Sequence, residues 1–328
     1  VNLVCEKAKI LKKETIVAII KHKRFHTTKT DLSLRKPKMR KLPLTFVSLL
    51  YLTHAKKDLR VYQGKCAKPG QYSYVVILGF SFHLEQRMCT GSLVTGTWVL
   101  TAGHCVNSYV DRIRYGDVTV PPWDKRARFS PVLRSIQHPD YSIEELMRLD
   151  VLYIHVKNDI GLLYVKRVEL PSYGKISGVD YSSLLGYPVT YAGYGLTFLG
   201  FQGYMNKSVI ELLKKDNHRR LQVGEAVVKK CERLTRNYDF TPVICLAPKC
   251  VRRQTTVVGD SGGPLFHAGK IVGVLMGGIN EFDNRYTPVS LFLDWIARVI
   301  ADSQDNDSDE KPGQQHWKFS FQMLRETP

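Results

Sequence analysis

Between Val61 and Ala301 the apolar residues fall in short runs rather than long stripes. Tyr74-Val75-Val76-Ile77-Leu78, Thr97-Trp98-Val99-Leu100, Pro188-Val189-Thr190-Tyr191 and Lys270-Ile271-Val272-Gly273-Val274-Leu275 are rich in β-branched and aromatic residues, and Gly, Pro, Asn or Asp separates them. Such runs predict β-strands, because branched side chains pack well on a pleated surface and lose rotamer freedom in a helix. A helical period is clear only near the end, where Val289, Phe292, Leu293, Ile296, Val299 and Ile300 make one stripe over Val289–Ile300. Many strands with one closing helix predict an all-β barrel or sandwich over residues 61–301. At Asp302 the chain turns to Asp-Ser-Gln-Asp-Asn-Asp-Ser-Asp-Glu, and residues 302–328 are expected to form an acidic, disordered tail. No internal repeat interrupts this order.

The formal charge of +18 over 328 residues changes the picture less than its size suggests. The first 60 residues hold 16 Lys and Arg against 4 Asp and Glu, so 12 of those charges sit there and the body carries only +6. A nucleic-acid partner is therefore not expected. The front end has its own explanation. The first methionine is Met39, and Met39-Arg40-Lys41 is followed by the mostly apolar Leu42–Leu52 and then by Thr53-His54-Ala55. A positive start, a short apolar run and a small residue at the end read as a secretory signal peptide, residues 39–55, too short to span a bilayer. The rival reading is a buried apolar segment of a longer N-terminal region. On the signal reading, residues 1–38 are upstream sequence without a function, residues 56–60 are a short propeptide, and the protein is secreted, extracellular and not bound to a membrane.

Cysteine usage agrees with that compartment. Setting aside Cys5, the chain keeps Cys66, Cys89, Cys105, Cys231, Cys245 and Cys250. An even number in a secreted chain predicts three disulfides. Zinc is the rival, but Cys245-x4-Cys250 fits finger spacing poorly and no His-Glu-x-x-His occurs, so neither a metal nor another cofactor is expected. Asn206-Lys207-Ser208 and Asn306-Asp307-Ser308 are glycosylation sequons in a secreted protein.

The candidate chemistry sits in Gly259-Asp260-Ser261-Gly262-Gly263. A glycine-flanked serine fits an α/β-hydrolase elbow, where the histidine follows it, or an arrangement ordered His, Asp, Ser. Only His267 and His316 follow Ser261, and the strand-rich pattern opposes an α/β sheet. Upstream lie Thr101-Ala102-Gly103-His104-Cys105 and Asn158-Asp159-Ile160-Gly161-Leu162-Leu163. A hydroxyl is a weak nucleophile at neutral pH, so a base such as His104 has to take its proton, and a carboxylate such as Asp159 can hold that imidazole in the right tautomer.

These three motifs, in this order, resemble the chymotrypsin or trypsin-like family of serine endopeptidases. Met88-Cys89-Thr90-Gly91-Ser92-Leu93, Val61-Tyr62-Gln63-Gly64, Tyr286-Thr287-Pro288-Val289 and Leu293-Asp294-Trp295-Ile296 extend the resemblance over residues 60–301. It implies two antiparallel six-stranded β-barrels with the active site between them and a C-terminal helix. It implies His104, Asp159 and Ser261 as the catalytic triad and the backbone N–H groups of Gly259 and Ser261 as the oxyanion hole. It also implies the disulfides Cys89–Cys105 and Cys231–Cys245. Cleavage after Arg60 by an activating protease would free the Val61 amine to pair with Asp260, which makes the chain a zymogen acting as a monomer on protein or peptide substrates.

The pocket departs from the family. Thr255 stands at the floor, where trypsin-type enzymes carry Asp, and Val257 replaces a common cysteine. Met276-Gly277-Gly278 replaces Ser-Trp-Gly, and Asn284 replaces a glycine beside Arg285. The expected specificity is non-tryptic, for uncharged apolar or small side chains, with Arg285 favouring an acidic one if it faces inward. The same changes keep a second function in view, a catalytically weak homologue acting as a secreted binding or regulatory protein.

Overall fold

The computed structural model describes residues 64–82, 87–148, 151–195, 220–231, 238–249, 254–256, 259–278 and 284–307. The segments 1–38, 39–55 and 56–60 lie outside the described residues, as do Val61, Asn206, Cys250 and Val257. No helix among the described residues is long and apolar enough to cross a membrane.

The chain builds two barrels in succession. The first closes from β2 (Val75–Gly79), β3 (Cys89–Leu93), β4 (Trp98–Thr101), β5 (Arg112–Tyr115), β6 (Arg128–Gln137) and β9 (Gly161–Val165), in the spatial order β2-β3-β4-β9-β6-β5 with β5 returning to β2. The second is β10 (Pro188–Gly193), β11 (Gln222–Lys229), β13 (Ile244–Pro248), β14 (Pro264–His267), β15 (Lys270–Gly278) and β16 (Asn284–Pro288). Its order β11-β10-β14-β15-β16-β13 closes because β13 also pairs with β11. All pairings within both rings are antiparallel. Closing each sheet on itself leaves no open edge and buries one face of every strand. β1 (Lys65–Cys66) adds to β11 from outside the ring.

Both barrels are filled by large apolar side chains, and several strands are buried at every position. Leu78, Leu93, Trp98, Leu100, Ile113, Leu162 and Leu163 are wholly buried in the first, and Tyr191, Leu265, Val272, Leu275 and Tyr286 in the second. β11 alternates buried and half-buried positions along its whole length, the signature of a strand with one face on a core.

The pattern-derived elements need three adjustments. The helical stripe begins as a 3-10 turn, Val289–Leu291, and the α-helix α1 spans Leu293–Asp307. Phe292 between them sits at φ −118° and ψ 10°, outside helical geometry, and its ring packs edge-on against His138. Buried Phe292, Trp295, Ile296 and Ile300 hold α1 in place. The helix also runs six residues past Ala301 into the acidic stretch, so a disordered tail does not begin at residue 302. Once a helix is nucleated on a core, each added residue gains a backbone hydrogen bond, and the stripe need not continue for the helix to do so.

The third adjustment is an addition. β7 (Ser142–Arg148) and β8 (Val151–Lys157) form an antiparallel hairpin, and β12 (Tyr238–Thr241) pairs with β8 in parallel. This small sheet belongs to neither barrel. Val151-Leu152-Tyr153-Ile154-His155-Val156 carries the branched and aromatic composition of a strand and could have flagged it.

Candidate active site

The loop after β4 forms a 3-10 turn, Gly103–Cys105, that carries His104 half-buried. Three contacts fix it. The Cys89–Cys105 disulfide ties it to β3, with Cα atoms 6.1 Å apart. Gln137 Nε2 donates to the carbonyls of Gly103 and Val106 at 2.9 and 3.1 Å. Asn107 Nδ2 donates to the His104 carbonyl at 3.2 Å.

Asp159 lies between β8 and β9 and is 1% exposed. Its Oδ2 is 2.8 Å from His104 Nδ1, and its Oδ1 accepts the His104 backbone N–H at 2.8 Å. One carboxylate therefore holds both the ring and the main chain of the histidine. Gly103 suits that close approach, since a Cβ there would stand 3.1 Å from Asp159 Oδ1 and 3.0 Å from the Tyr141 ring, tight enough that those neighbours would have to give. Asn158 before it takes a left-handed φ of 50°, which turns the chain so that the acid points at His104. From the second barrel, Thr287 Oγ1 donates to the Asp159 carbonyl at 2.9 Å.

The electrostatics of the pair oppose one another. Burial pushes the His104 pKa down, but the hydrogen bond and the charge of Asp159 push it up and prevail, leaving it above the ordinary 6.5. Nδ1 bonded to the carboxylate leaves Nε2 as the nitrogen able to accept a proton.

Ser261 is half-buried in the turn before β14, opposite this pair in the chain but held to the same strands. Its carbonyl accepts the Thr90 N–H at 2.7 Å, one residue from the disulfide-bonded Cys89. Thr90 Oγ1 donates to the Gly259 carbonyl at 2.8 Å and accepts the Tyr194 N–H at 3.2 Å. Thr101 Oγ1 donates to the Thr90 carbonyl at 3.0 Å. At Gly262, φ +78°, a Cβ would overlap the Thr101 hydroxyl and the Thr90 carbonyl. Strands β3 and β4, which lead into His104, thus hold the serine turn of the other barrel at backbone contact. No hydrogen bond joins His104 Nε2 to Ser261 Oγ among the described residues. In substrate-free enzymes such contacts commonly tighten only when substrate arrives.

Gly259 takes φ +92°, a conformation that glycine adopts without penalty and that other residues strain to reach. Asp260 is 1% exposed, and its Oδ1 accepts the Gly195 N–H at 2.7 Å. A Cβ on Gly193 would overlap that carboxylate, so the glycines at the end of β10 make its berth. Arg60 and Val61 lie outside the described residues.

Of the residues expected to set specificity, Thr255 is fully buried and Asn284 nearly so. Asn284 Oδ1 accepts from Thr255 Oγ1 at 2.8 Å, Thr256 N–H at 3.0 Å and Thr256 Oγ1 at 2.9 Å. Arg285 beside it is likewise buried. Met276 is buried at a bulge in the β15–β16 pairing, and Gly277, φ +148°, has open space where a side chain would stand.

Thr90 and Thr287 went unassigned from sequence. Each acts across the barrel interface, and no local pattern announces that. Cys231 and Cys245 are bonded, with Cα atoms 5.2 Å apart, while Cys66 is exposed and free. Cys89, His104 and Cys105 are the one close cluster of metal-type ligands among the described residues, and its two cysteines are bonded to each other. Asn306 falls in the last turn of α1.

Comparison with known proteins adds a family and a fold. The family described as Trypsin matches residues 61–296. Mast cell protease 3 of Ovis aries is 27% identical over 253 residues, covering 76% of this chain and 92% of that protein. Granzyme H of Homo sapiens is 28% identical, covering 79% and 98%. Among solved structures, neuropsin, a serine protease of mouse brain, superposes with a TM-score of 0.55 at 22% identity, covering 73% of this chain and 99% of that one.

Proposed function

This chain belongs to the trypsin family of serine peptidases, and we propose that it is a secreted endopeptidase, made as a zymogen, that cleaves after small uncharged residues. The observation that carries the catalytic part is the double grip of Asp159 on His104, ring and backbone, at 2.8 Å each.

In this reading Ser261 Oγ attacks the scissile carbonyl while His104 Nε2 takes its proton. Positive charge then develops on the imidazole, next to a buried carboxylate that is already in position. The elevated His104 pKa reflects that same stabilisation. The oxyanion that forms is met by the N–H groups of Gly259 and Ser261, which need no rearrangement at the moment of reaction. His104 next gives its proton to the leaving amine, and water repeats the sequence on the acyl-enzyme. Asp159 stays ionised throughout and acts by orientation and charge.

Activation follows from Asp260. Cleavage after Arg60 creates a charged amine at Val61, and a buried carboxylate is the partner that offsets the cost of taking that amine out of water. The signal-like segment 39–55 supports secretion, and Asn206 and Asn306 are the candidate glycan sites.

The Thr255–Asn284 contact supports this specificity. The floor hydroxyl is spent on Asn284, and the Asn284 carbonyl oxygen already receives three hydrogen bonds. Neither offers a countercharge to Lys or Arg, and the amide occupies depth that a glycine would leave open. A peptide library cleaved by the activated protein should give Ala, Ser, Thr or Val before the scissile bond. Asn284→Gly should widen the set to larger apolar side chains by roughly tenfold in kcat/KM, the size of one to two buried methylenes. Cleavage mainly after Lys or Arg would contradict the specificity while leaving the peptidase reading intact.

A further inference from the structure

A cavity of about 370 Å³ opens where the chain just after β1, the loop after β5 and Tyr194 meet, and none of His104, Asp159 and Ser261 lines it. That is the size of a small-molecule site. Its apolar lining includes Tyr72, Val118, Tyr194 and Leu221, and its charged lining is Lys68, Asp117 and Arg220.

The wall after β1 is held in an unusual shape. Gly70 and Tyr72 take left-handed φ values of 75° and 55°, and a bulky residue in that region is an outlier. The Tyr72 ring is stacked on Phe266 with centroids 4.5 Å apart, and the Tyr72 carbonyl accepts the Val75 N–H at 2.9 Å. The Lys68 N–H donates to Gln71 Oε1 at 3.0 Å and closes the same turn. Strain of this kind persists where the surrounding structure over-determines it, and it gathers at ligand clamps.

The charge balance of the site is positive. Lys68 and Arg220 stand against one carboxylate, Asp117, which is occupied within its own turn. The Thr119 N–H donates to it at 2.9 Å and the Thr119 hydroxyl at 2.5 Å. The hydroxyl first, then the N–H and more weakly the charge of Arg220, hold Asp117 below the usual carboxylate range. A third cation lies behind the wall. Arg114 is 5% exposed, and its Nη2 donates to the carbonyl of Val118 at 3.2 Å and to that of Val120. Its Nε has no hydrogen-bond partner, and no carboxylate among the described residues forms an ion pair with it. A buried charge without a countercharge is costly, and an anion bound nearby offsets that cost.

We propose that this cavity binds a small aromatic anion, its ring against Tyr72 and Tyr194 and its carboxylate, sulfate or phosphate group toward Lys68 and Arg220. The site is joined to the serine turn. The Tyr194 N–H is bonded to Thr90 Oγ1, which holds the Gly259 carbonyl, and the next N–H, of Gly195, is bonded to Asp260. A ligand that fits the cavity in this arrangement favours it over others, so occupancy steadies Tyr194 and Gly195. Binding depends on the cavity and not on Ser261 being a nucleophile.

The test titrates the purified full chain with naphthalene-2-sulfonate by calorimetry and measures hydrogen exchange with and without it. The expected result is saturable binding, with exchange slowed at Tyr72 to Val75 and at Tyr194 and Gly195. Lys68→Glu combined with Arg220→Glu, both at exposed positions, should weaken binding by roughly tenfold or more, the size of one charge-assisted hydrogen bond. Lys270→Glu, exposed in the turn between β14 and β15, should leave binding unchanged. 2-Naphthol, which lacks the charge, and inorganic sulfate, which lacks the ring, should each bind about tenfold more weakly or worse. No binding, equal affinity in the double variant, protection confined to other segments, or 2-naphthol or sulfate binding as tightly as the naphthalenesulfonate would overturn the proposal.

Discussion

His104 gathers the opposing forces of the site into one titration. Burial favours its neutral form, and Asp159 favours its charged form and prevails. A general base must be neutral to accept a proton, so the raised pKa places the ascending limb of kcat/KM above about 6.5. Asp159→Asn removes the charge and fixes the wrong tautomer. The limb should move to lower pH, and kcat should fall by on the order of 10⁴-fold. A pH profile of the two proteins checks both, and an unmoved limb would mean that another group titrates. At this scale the sequence was most legible. Thr101 to Cys105, Asn158 to Leu163 and Gly259 to Pro264 are each local strings, and each delivers one side chain with the backbone geometry it needs. Arg285 shows the limit. Its identity was plain, but Asn284–Pro288 is buried at every position, and such a run offers no alternation from which its direction could be read.

Elements explain how two distant strings meet. β3 and β4 belong to the first barrel, yet Thr90 and Thr101 hold the Ser261 turn of the second. Thr90 is fully buried and serves Gly259 and Tyr194 at once. Thr90→Val keeps the shape but strands a carbonyl and an N–H, at a cost of about 2–6 kcal/mol for the two. Thermal melting should show a lowered Tm. Because Gly259 is a proposed oxyanion donor, kcat should drop with little change in KM, and Thr90→Ser should restore it. A change confined to Tm would make Thr90 purely structural. The strand runs were legible because branched residues between turn residues have one good solution. The strand composition of β8 was there to be read, but its pairing with β12 was not, since that parallel pairing joins segments about eighty residues apart and no local period encodes it. The helix was found, but its start was not, because Phe292 is apolar and buried although its backbone is not helical, so the stripe runs through the break unmarked.

At the scale of the whole molecule, the proposed function divides its residues between barrels. The first would present His104 and Asp159, and the second Ser261, Asp260 and the specificity residues Thr255 and Asn284. Thr287 reaching Asp159 and Thr90 reaching Gly259 are reciprocal contacts across that boundary. The +18 charge has no part in this arrangement, since most of it precedes Val61. The central claim is that Ser261 is an activated nucleophile controlled by cleavage after Arg60. The most direct measurement is covalent labelling by a fluorescent fluorophosphonate, read as the label rate on three proteins. These are the chain cleaved to Val61, the same chain with Ser261→Ala, and the full chain with Arg60→Gln. Rapid labelling of the first, none of the second and labelling of the third slowed by a hundredfold or more is the predicted result. Failure of the cleaved protein to label, or equal labelling after Ser261→Ala, would contradict it.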